Sequence, residues 1–355
     1  MTDAPPLLPH VERILDAARV APSWGNSQPW RFQVDGETIS MLVDAERERA
    51  YLGQMARVAV GAALECALVR AGRMGATVRF ESPPRSGALV TFTVSDVKRT
   101  PEPDKALMRR ATNRRLYDGR AIDDATYGWL VEATPALDGV RAHWFGRERV
   151  RAMAPFLEEA ETLYYGHARL RELTLQSIRF DVRDREEVTH GLSVGSLELS
   201  AAERVAMDAL RHAPDGALAV TGTAAAQRMG ARARRLVESA SGVCVITRPD
   251  SADPSADVTV GRCMQRAWLA LTRKGLVAHP MSAVQVLEAA LAAEGTGLPE
   301  HDRVNALVTK FRAAFPSVEK GSSIAVLLRY GYAPAPTAHV RRLALEESLA
   351  GKPAP

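Results

Sequence analysis

Cysteine is scarce in this chain: 355 residues hold three, Cys66, Cys244 and Cys263, with no Cys-x-x-Cys pair among them. So few, so scattered and odd in number, they argue against a disulfide framework and against a zinc site, and they fit a reducing compartment. Long apolar runs are missing too, so no bilayer-spanning segment is expected. Met1 to Pro9 has no basic stretch followed by an apolar core, and no signal peptide is expected there. Basic residues are plentiful but never massed: the formal charge of +4 comes from scattered arginines. That pattern gives little support to a nucleic-acid partner, whereas a few guanidiniums suffice for an anionic phosphate ligand. No nucleophile triad, no paired catalytic carboxylates and no metal-ligand cluster stand out, so chemistry by side chains alone has no evident carrier. The expectation is a soluble, cytoplasmic protein with neither nucleic-acid nor membrane partner. With 46% hydrophobic and 25% charged residues, the composition allows an ordinary packed core in one large domain or two small ones.

What is present is local and strong. Val11 to Val20 carries apolar residues at Val11, Ile14, Leu15 and Ala18, the spacing of an amphipathic helix. Trp30, Phe32 and Val34 then alternate as in a strand. Between them runs Ala-Pro-Ser-Trp-Gly-Asn-Ser-Gln-Pro-Trp-Arg-Phe, Ala21 to Phe32, where proline, glycine and small polar residues let a backbone grip a planar ligand. Leu52 to Gly75 reads as a helix rich in small residues and stopped by glycine. Strands follow at Thr77 to Glu81 and Leu89 to Ser95, and a proline-bearing connector at Thr100 to Asp104.

After the connector the pattern begins again. Ala121 to Ala133 reads as a helix opened by Asp123 or Asp124, and Val140 to Phe145 as a strand. A long helical stretch is predicted through Val150 to Arg179. Val243 to Thr247 reads as a buried strand, Gly261 to Gly275 as a helix, Leu276 to Pro280 as its exit, and Ser323 to Tyr330 as a further strand. The order of elements repeats, which predicts two diverged copies of one α+β unit, residues 1–104 and 105–355. Between Arg171 and Ala213 lies material without a counterpart, including Phe180, Arg183, His190, Gly191, Leu192, Leu197 and Leu199. Its apolar anchors suggest a packed loop, a lid-like insertion at about 171–213, rather than a free linker.

The segment Pro22, Ser23, Asn26, Gln28, Pro29, Trp30 resembles the ring-edge loop Pro-Ser-x-x-Asn-x-Gln-Pro-Trp of the FMN-dependent nitroreductases. The resemblance implies a nitroreductase-like α+β fold: two helix-flanked, mixed or antiparallel sheet units that form a pseudo-dimer within one chain. In that family the flavin lies between two subunits. Its Arg-x-Ser/Thr-x-Arg phosphate motif is absent before Val11 and resembles instead Arg110, Thr112 and Arg114, ahead of the second unit. The second unit's version of the ring-edge loop has decayed to Thr134 to Gly139. One complete site is therefore expected, divided between the halves, as in the Acg-type branch, whose single chains imitate the dimer and carry a lid. Over Val11 to Leu349 the chain is similar to that branch.

The same resemblance implies the rest of the site. Pro280, Met281, Ser282 and Ala283 match the Pro-x-x-Gly loop that points amides at flavin N5 and O4, with Ala283 in place of glycine and Ser282 where glutamate is common. Arg341 and Arg342 match the basic residues that close on the phosphate; Ser23 and Asn26 would meet the ring edge. Arg262 is a candidate to neutralise charge near N1, or else a surface ion pair. His190 is a candidate to face the site, or else an ordinary structural histidine.

The implied cofactor is FMN, with NAD(P)H as possible co-substrate and a small acceptor such as a nitroaromatic or quinone. Storage of FMN under a lid that blocks nicotinamide is the alternative, favoured by the missing glutamate. Specialised flavin oxidation, such as azoline oxidation, or breakdown of the flavin itself is the more remote one. A pseudo-dimer is expected to be a monomer.

Overall fold

A computed structural model describes residues 6–48, 52–182, 188–212, 220–250, 253–315, 318 and 321–350. Arg183 and Ala213, named above in the insertion, lie outside them. Helix α1 (Pro9–Ala18) starts on a proline, whose fixed φ suits a first turn, and buries Val11, Ile14, Leu15 and Ala18 along one face. The chain then forms β1 (Trp30–Asp35), β2 (Thr38–Val43), α2 (Gly53–Met74), β3 (Thr77–Phe80) and β4 (Val90–Ser95). Helix α2 ends because Gly75 takes the left-handed conformation (φ 64) and returns its N–H to the last turn. The four strands make an antiparallel sheet in the order β1-β2-β4-β3.

The second run begins with α3 (Lys105–Arg109), capped by the Asp104 carboxylate, and α4 (Asp124–Glu132), capped by Asp123. There follow β5 (Arg141–Phe145), α5 (Arg147–Gly166), α6 (Ala168–Gln176), β6 (Ile178–Arg179), β7 (Leu192–Ser193), α7 (Ala201–Arg211) and α8 (Val220–Glu238). The chain continues through β8 (Gly242–Pro249), α9 (Ala256–Arg273), β9 (Val277–Pro280), α10 (Ala283–Glu294), α11 (His301–Ala313) and β10 (Ser322–Gly331). Its sheet is again antiparallel, in the order β5-β8-β10-β9.

The two orders are the same plan. In each sheet two strands precede a long helix (α2 or α9), and the two strands after it add in reversed order. The second copy is larger because α5 to α8 intervene between β5 and β8, and α10 and α11 between β9 and β10. The expected α+β fold of two sheet units is present.

Helices α2 and α9 cross at the centre. A Cβ on Gly61 would lie 2.0 Å from the Val258 carbonyl oxygen, and one on Gly261 would lie 1.9 Å from that of Val58. Each glycine thus sits on the residue three positions before the other, a reciprocal contact across a local two-fold axis. Ion pairs flank it: Arg57 to Asp257 at 2.8 Å, and Glu65 to Arg262 and Arg266 at 3.2 and 2.6 Å. One apolar core surrounds this crossing and the first sheet; a second lies among α5, α8, α10 and α11.

The predicted continuous helix through Val150 to Arg179 is wrong. His167 is extended (φ −86, ψ 120), ends α5, and accepts the Leu170 N–H through its ring to start α6. By Ile178 the chain is already a strand, paired in parallel with β7. Strands β2, β6 and β7 and helices α3, α7, α8, α10 and α11 were not predicted. Among the described residues no helix is long and apolar enough to cross a membrane, and the three cysteines are buried and free.

Candidate functional site

Segment 110–115 is clipped to the edge of β9. Thr112 bridges Ala278 in parallel, and the Asn113 N–H donates to the Ala278 carbonyl at 3.0 Å. Arg329, fully buried on β10, locks this arrangement: its guanidinium donates to the carbonyls of Asn113, Arg115 and Leu236 and to His279 Nδ1. Extended residues alternate in direction, so Thr112 and Arg114 share a face. Both line a cavity of about 1530 Å3, part of it open to solvent.

The opposite wall comes from the first unit. Pro22, Ser23, Trp24 and Gly25 line the cavity, with Gln54, Met55, Val58 and Ala59 of α2 beside them. The loop is closed on itself by the Gln28 N–H donating to Ser23 Oγ at 2.9 Å. Gly25 is required here: its φ is 56, and a Cβ would stand 2.8 Å from that of Ser177. The floor is Pro280 to Ala283, entering α10. No side chain caps that helix, so its first-turn N–H groups lack helical acceptors. The Gln285 amide, also on the wall, has no hydrogen-bond partner.

Of the residues predicted from the sequence, Pro22, Ser23, Thr112, Arg114, Pro280, Met281, Ser282 and Ala283 are therefore brought together on one cavity. Five others are not on its wall. Asn26 and Gln28 adopt left-handed backbone (φ 55 and 50). That turns their side chains away to tie the insertion and the C-terminal tail: Asn26 donates to the carbonyls of Thr189, Gly191 and Arg341, and Gln28 to that of Thr189. Arg341 is exposed, its N–H donating to the Val188 carbonyl.

Arg110 and Arg342 do come together, but behind the wall. Arg110 stacks 4.6 Å from the centre of the Trp268 ring and donates to the Val20 carbonyl, with its Nε lacking a partner. Arg342 donates to Ala21 and Asn26. Burial lowers Arg110 to about 10, and burial with the neighbouring Arg110 charge lowers Arg342 to about 9. Arg262 pairs with Glu65 rather than facing the cavity. The insertion reaches the site through Leu192, Leu197 and Leu199.

Sequence reasoning missed a polar group on the cavity: Glu161, Tyr164 and Tyr165 of α5, Thr174 of α6, Arg232 of α8 and His279 of β9. Burial pushes the Glu161 carboxyl up from 4.5 to about 7, opposed only by Arg232. Burial and three arginines hold His279 neutral, well below the usual histidine range. Burial lowers Arg114 to about 10. Arg232 donates to the Arg114 and Leu197 carbonyls and pairs with Glu203 at 3.4 Å. A charge, half-buried Glu161, at helical spacing from the buried Leu157, Tyr164 and Tyr165 was the one available signal. Among the described residues no group of three or more metal-ligating side chains occurs.

Residues 2–72, which contain the Pro22 to Trp30 loop, match the model of the nitroreductase family. The uncharacterized protein MT1398 of Mycobacterium tuberculosis (strain CDC 1551 / Oshkosh) is 29% identical over 289 residues, covering 78% of this chain. The match spans only 39% of that relative's own length. Solved structures similar to part of the chain include an FMN- and NADPH-dependent nitroreductase, NfnB, from sphigopyxis sp. strain HMH. It is 17% identical, with 70% of this chain and 98% of that one covered and a TM-score of 0.40. Another is the FMN-dependent nitroreductase NfnB of Mycobacterium smegmatis in complex with NADPH, 15% identical, covering 71% and 99%, TM-score 0.35. Through residues 2–72 the chain is similar to the nitroreductase family.

Proposed function

We propose that this protein is an FMN-binding oxidoreductase of the single-chain, lidded nitroreductase type. It passes a hydride from NAD(P)H through FMN to a small acceptor such as a nitroaromatic or quinone. It is built as two units, residues 1–104 and 105–355, and works as a monomer that imitates a dimer. The observation that carries this reading is the shared cavity: Pro22 to Gly25 from one unit face Thr112, Arg114 and Pro280 to Ala283 from the other.

The wall fits the group chemically. Apolar side chains suit a flat ring, while Thr112, Arg114 and Arg232 offer a hydroxyl and cations for a phosphate-bearing tail. The bare start of α10 and the unpartnered Gln285 amide offer donors to a ring edge whose electron density rises on reduction. When bound, FMN supplies the two-electron chemistry; the chain supplies orientation, fixed donors and exclusion of water. Arg110 and Arg342 then act behind the wall, raising the positive potential without direct contact.

A storage role is favoured by one observation. The insertion lining the cavity is fastened to the 22–30 loop by Asn26 and Gln28, which would restrict nicotinamide entry. The visible spectrum of the purified protein and the cofactor released on denaturation test the FMN assignment. Anaerobic NAD(P)H then separates the two roles: rapid bleaching supports the enzyme, and a persistent oxidised spectrum supports storage.

A further inference from the structure

The cavity holds a carboxyl group that neither phosphate binding nor ring binding uses. Glu161 projects from α5 into the same cavity as Ser23, Met281 and Ala283. Glu161 is half-buried and makes no ion pair among the described residues, whereas Asp257 is held by Arg57 and Arg248, Glu65 by Arg262 and Arg266, and Glu203 by Arg232 and Arg235. The titratable groups around it are Tyr164 and Tyr165 on its own helix, Arg232 on α8, and Arg114 and His279 across the cavity. Arg232 is already committed to Glu203, and its nearest hydrogen bonds go to carbonyls. A half-buried carboxyl without a counter-ion, set among apolar side chains, is more stable with its proton on.

We propose that Glu161 is the acid that protonates a bound quinone as it takes up hydride. This rests on the oxidoreductase reading above. With FMN bound, the cofactor would supply the hydride and the Glu161 O–H the proton, so that a quinone would leave as the hydroquinone and Glu161 as the carboxylate. The carboxylate left behind is stabilised by Arg232 and regains its proton from solvent before the next turnover. A quinone entering a cavity walled by Leu192, Leu197, Leu199, Met207 and Met229 exchanges part of its water for apolar side chains, so an oxyanion forming there is poorly solvated on that side. A neutral acid in the wall supplies what water would have supplied. The raised carboxyl, titrating near 7, agrees with that role.

The test compares wild type with Glu161→Gln, which keeps the shape and removes the acid. Infrared difference spectra of the two proteins, recorded from roughly pH 5 to 9, should show a protonated-carboxyl band in wild type alone, lost with a midpoint near neutrality. No such band, or one lost near pH 4, overturns the proposal without any reference to turnover. In the reduced, FMN-loaded proteins, oxidation by a soluble quinone should be roughly 100-fold slower in the variant and should lose its dependence on pH. Oxidation by ferricyanide, which takes electrons and no proton, should be unchanged. Glu161→Asp should recover part of the quinone rate. Equal quinone rates in wild type and Glu161→Gln, or equal slowing with quinone and ferricyanide, overturn the proposal. A protein that takes up no FMN is recognised from its spectrum before any rate is measured; it refutes the oxidoreductase reading first, and this step with it.

Discussion

Replacing Gly61 or Gly261 by alanine puts a methyl group where the partner helix already has backbone. The new Cβ would stand 2.0 Å from the Val258 oxygen in one case and 1.9 Å from the Val58 oxygen in the other, against the 3.0 Å that real Cβ atoms keep. The obstacle is a main-chain carbonyl, so no rotamer change relieves it, and α2 and α9 must separate by about 1 Å. A gap of that size forfeits a quarter to a half of the dispersion energy along the seam. Adding the overpacking cost, each substitution should destabilise the fold by about 3–5 kcal/mol.

The two contacts are reciprocal, so a separation forced by one methyl largely accommodates the second. The double variant should therefore be less destabilised than the sum, by about 1–3 kcal/mol. Urea unfolding followed by far-ultraviolet circular dichroism measures all four proteins, with an unchanged m-value as the control for two-state behaviour. Single costs below about 0.5 kcal/mol, or strict additivity, would refute a paired crossing. Because Met55, Val58 and Ala59 of α2 and Met264 and Trp268 of α9 line the cavity, the same variants should also bind FMN more weakly.

Arg114→Ala should weaken FMN by about 1.5–3 kcal/mol, the range for a lost charge-assisted hydrogen bond, in a fluorescence-quenching titration. Arg329→Met leaves the carbonyls of Asn113, Arg115 and Leu236 without their shared donor; a loss of about 3 kcal/mol or more is expected in thermal melts. Glu161→Gln should act on stability with a definite sign. The folded carboxyl is raised from 4.5 to about 7, so the unfolded chain gives up this proton first. Wild-type stability accordingly falls as pH rises through that window, by up to about 3 kcal/mol above it. The variant should match wild type near pH 4 and melt higher at pH 8. Asn26→Ala removes the tie to Thr189 and Gly191 and places alanine at φ 55; amide exchange at 189–193 should quicken, with a stability loss of about 1–3 kcal/mol.

Much of the frame was legible in the sequence because it rests on local signals. The apolar stripe of α1, the glycine that ends α2 and the aspartate cap of α4 act over one or two turns. So does the 22–30 loop, whose Gly25 must approach Ser177 closely. Segment 110–114 could be placed only through its resemblance to the Arg-x-Ser/Thr-x-Arg motif, and of its three matching residues Thr112 and Arg114 line the cavity. The break at His167 was hidden, since no proline marks it. Glu161 and Arg232 were hidden for a different reason: each looks like an ordinary charged position on its own helix, and only the packing of α5 against α8 makes them neighbours. Asn26, Gln28 and Arg342 were read as flavin contacts, but none of them lines the cavity. Asn26 and Gln28 bind carbonyls of the insertion and Arg342 binds Ala21 and Asn26, pairings that no sequence pattern announces.

The central claim is that one chain contains one complete flavin site divided between two units. Native mass spectrometry of the protein titrated with FMN tests it in a single measurement. The account predicts a monomer that gains the mass of one FMN, with Arg114→Ala requiring more flavin to reach the same occupancy. A chain that gains no flavin, or a dimer that carries four, would contradict it.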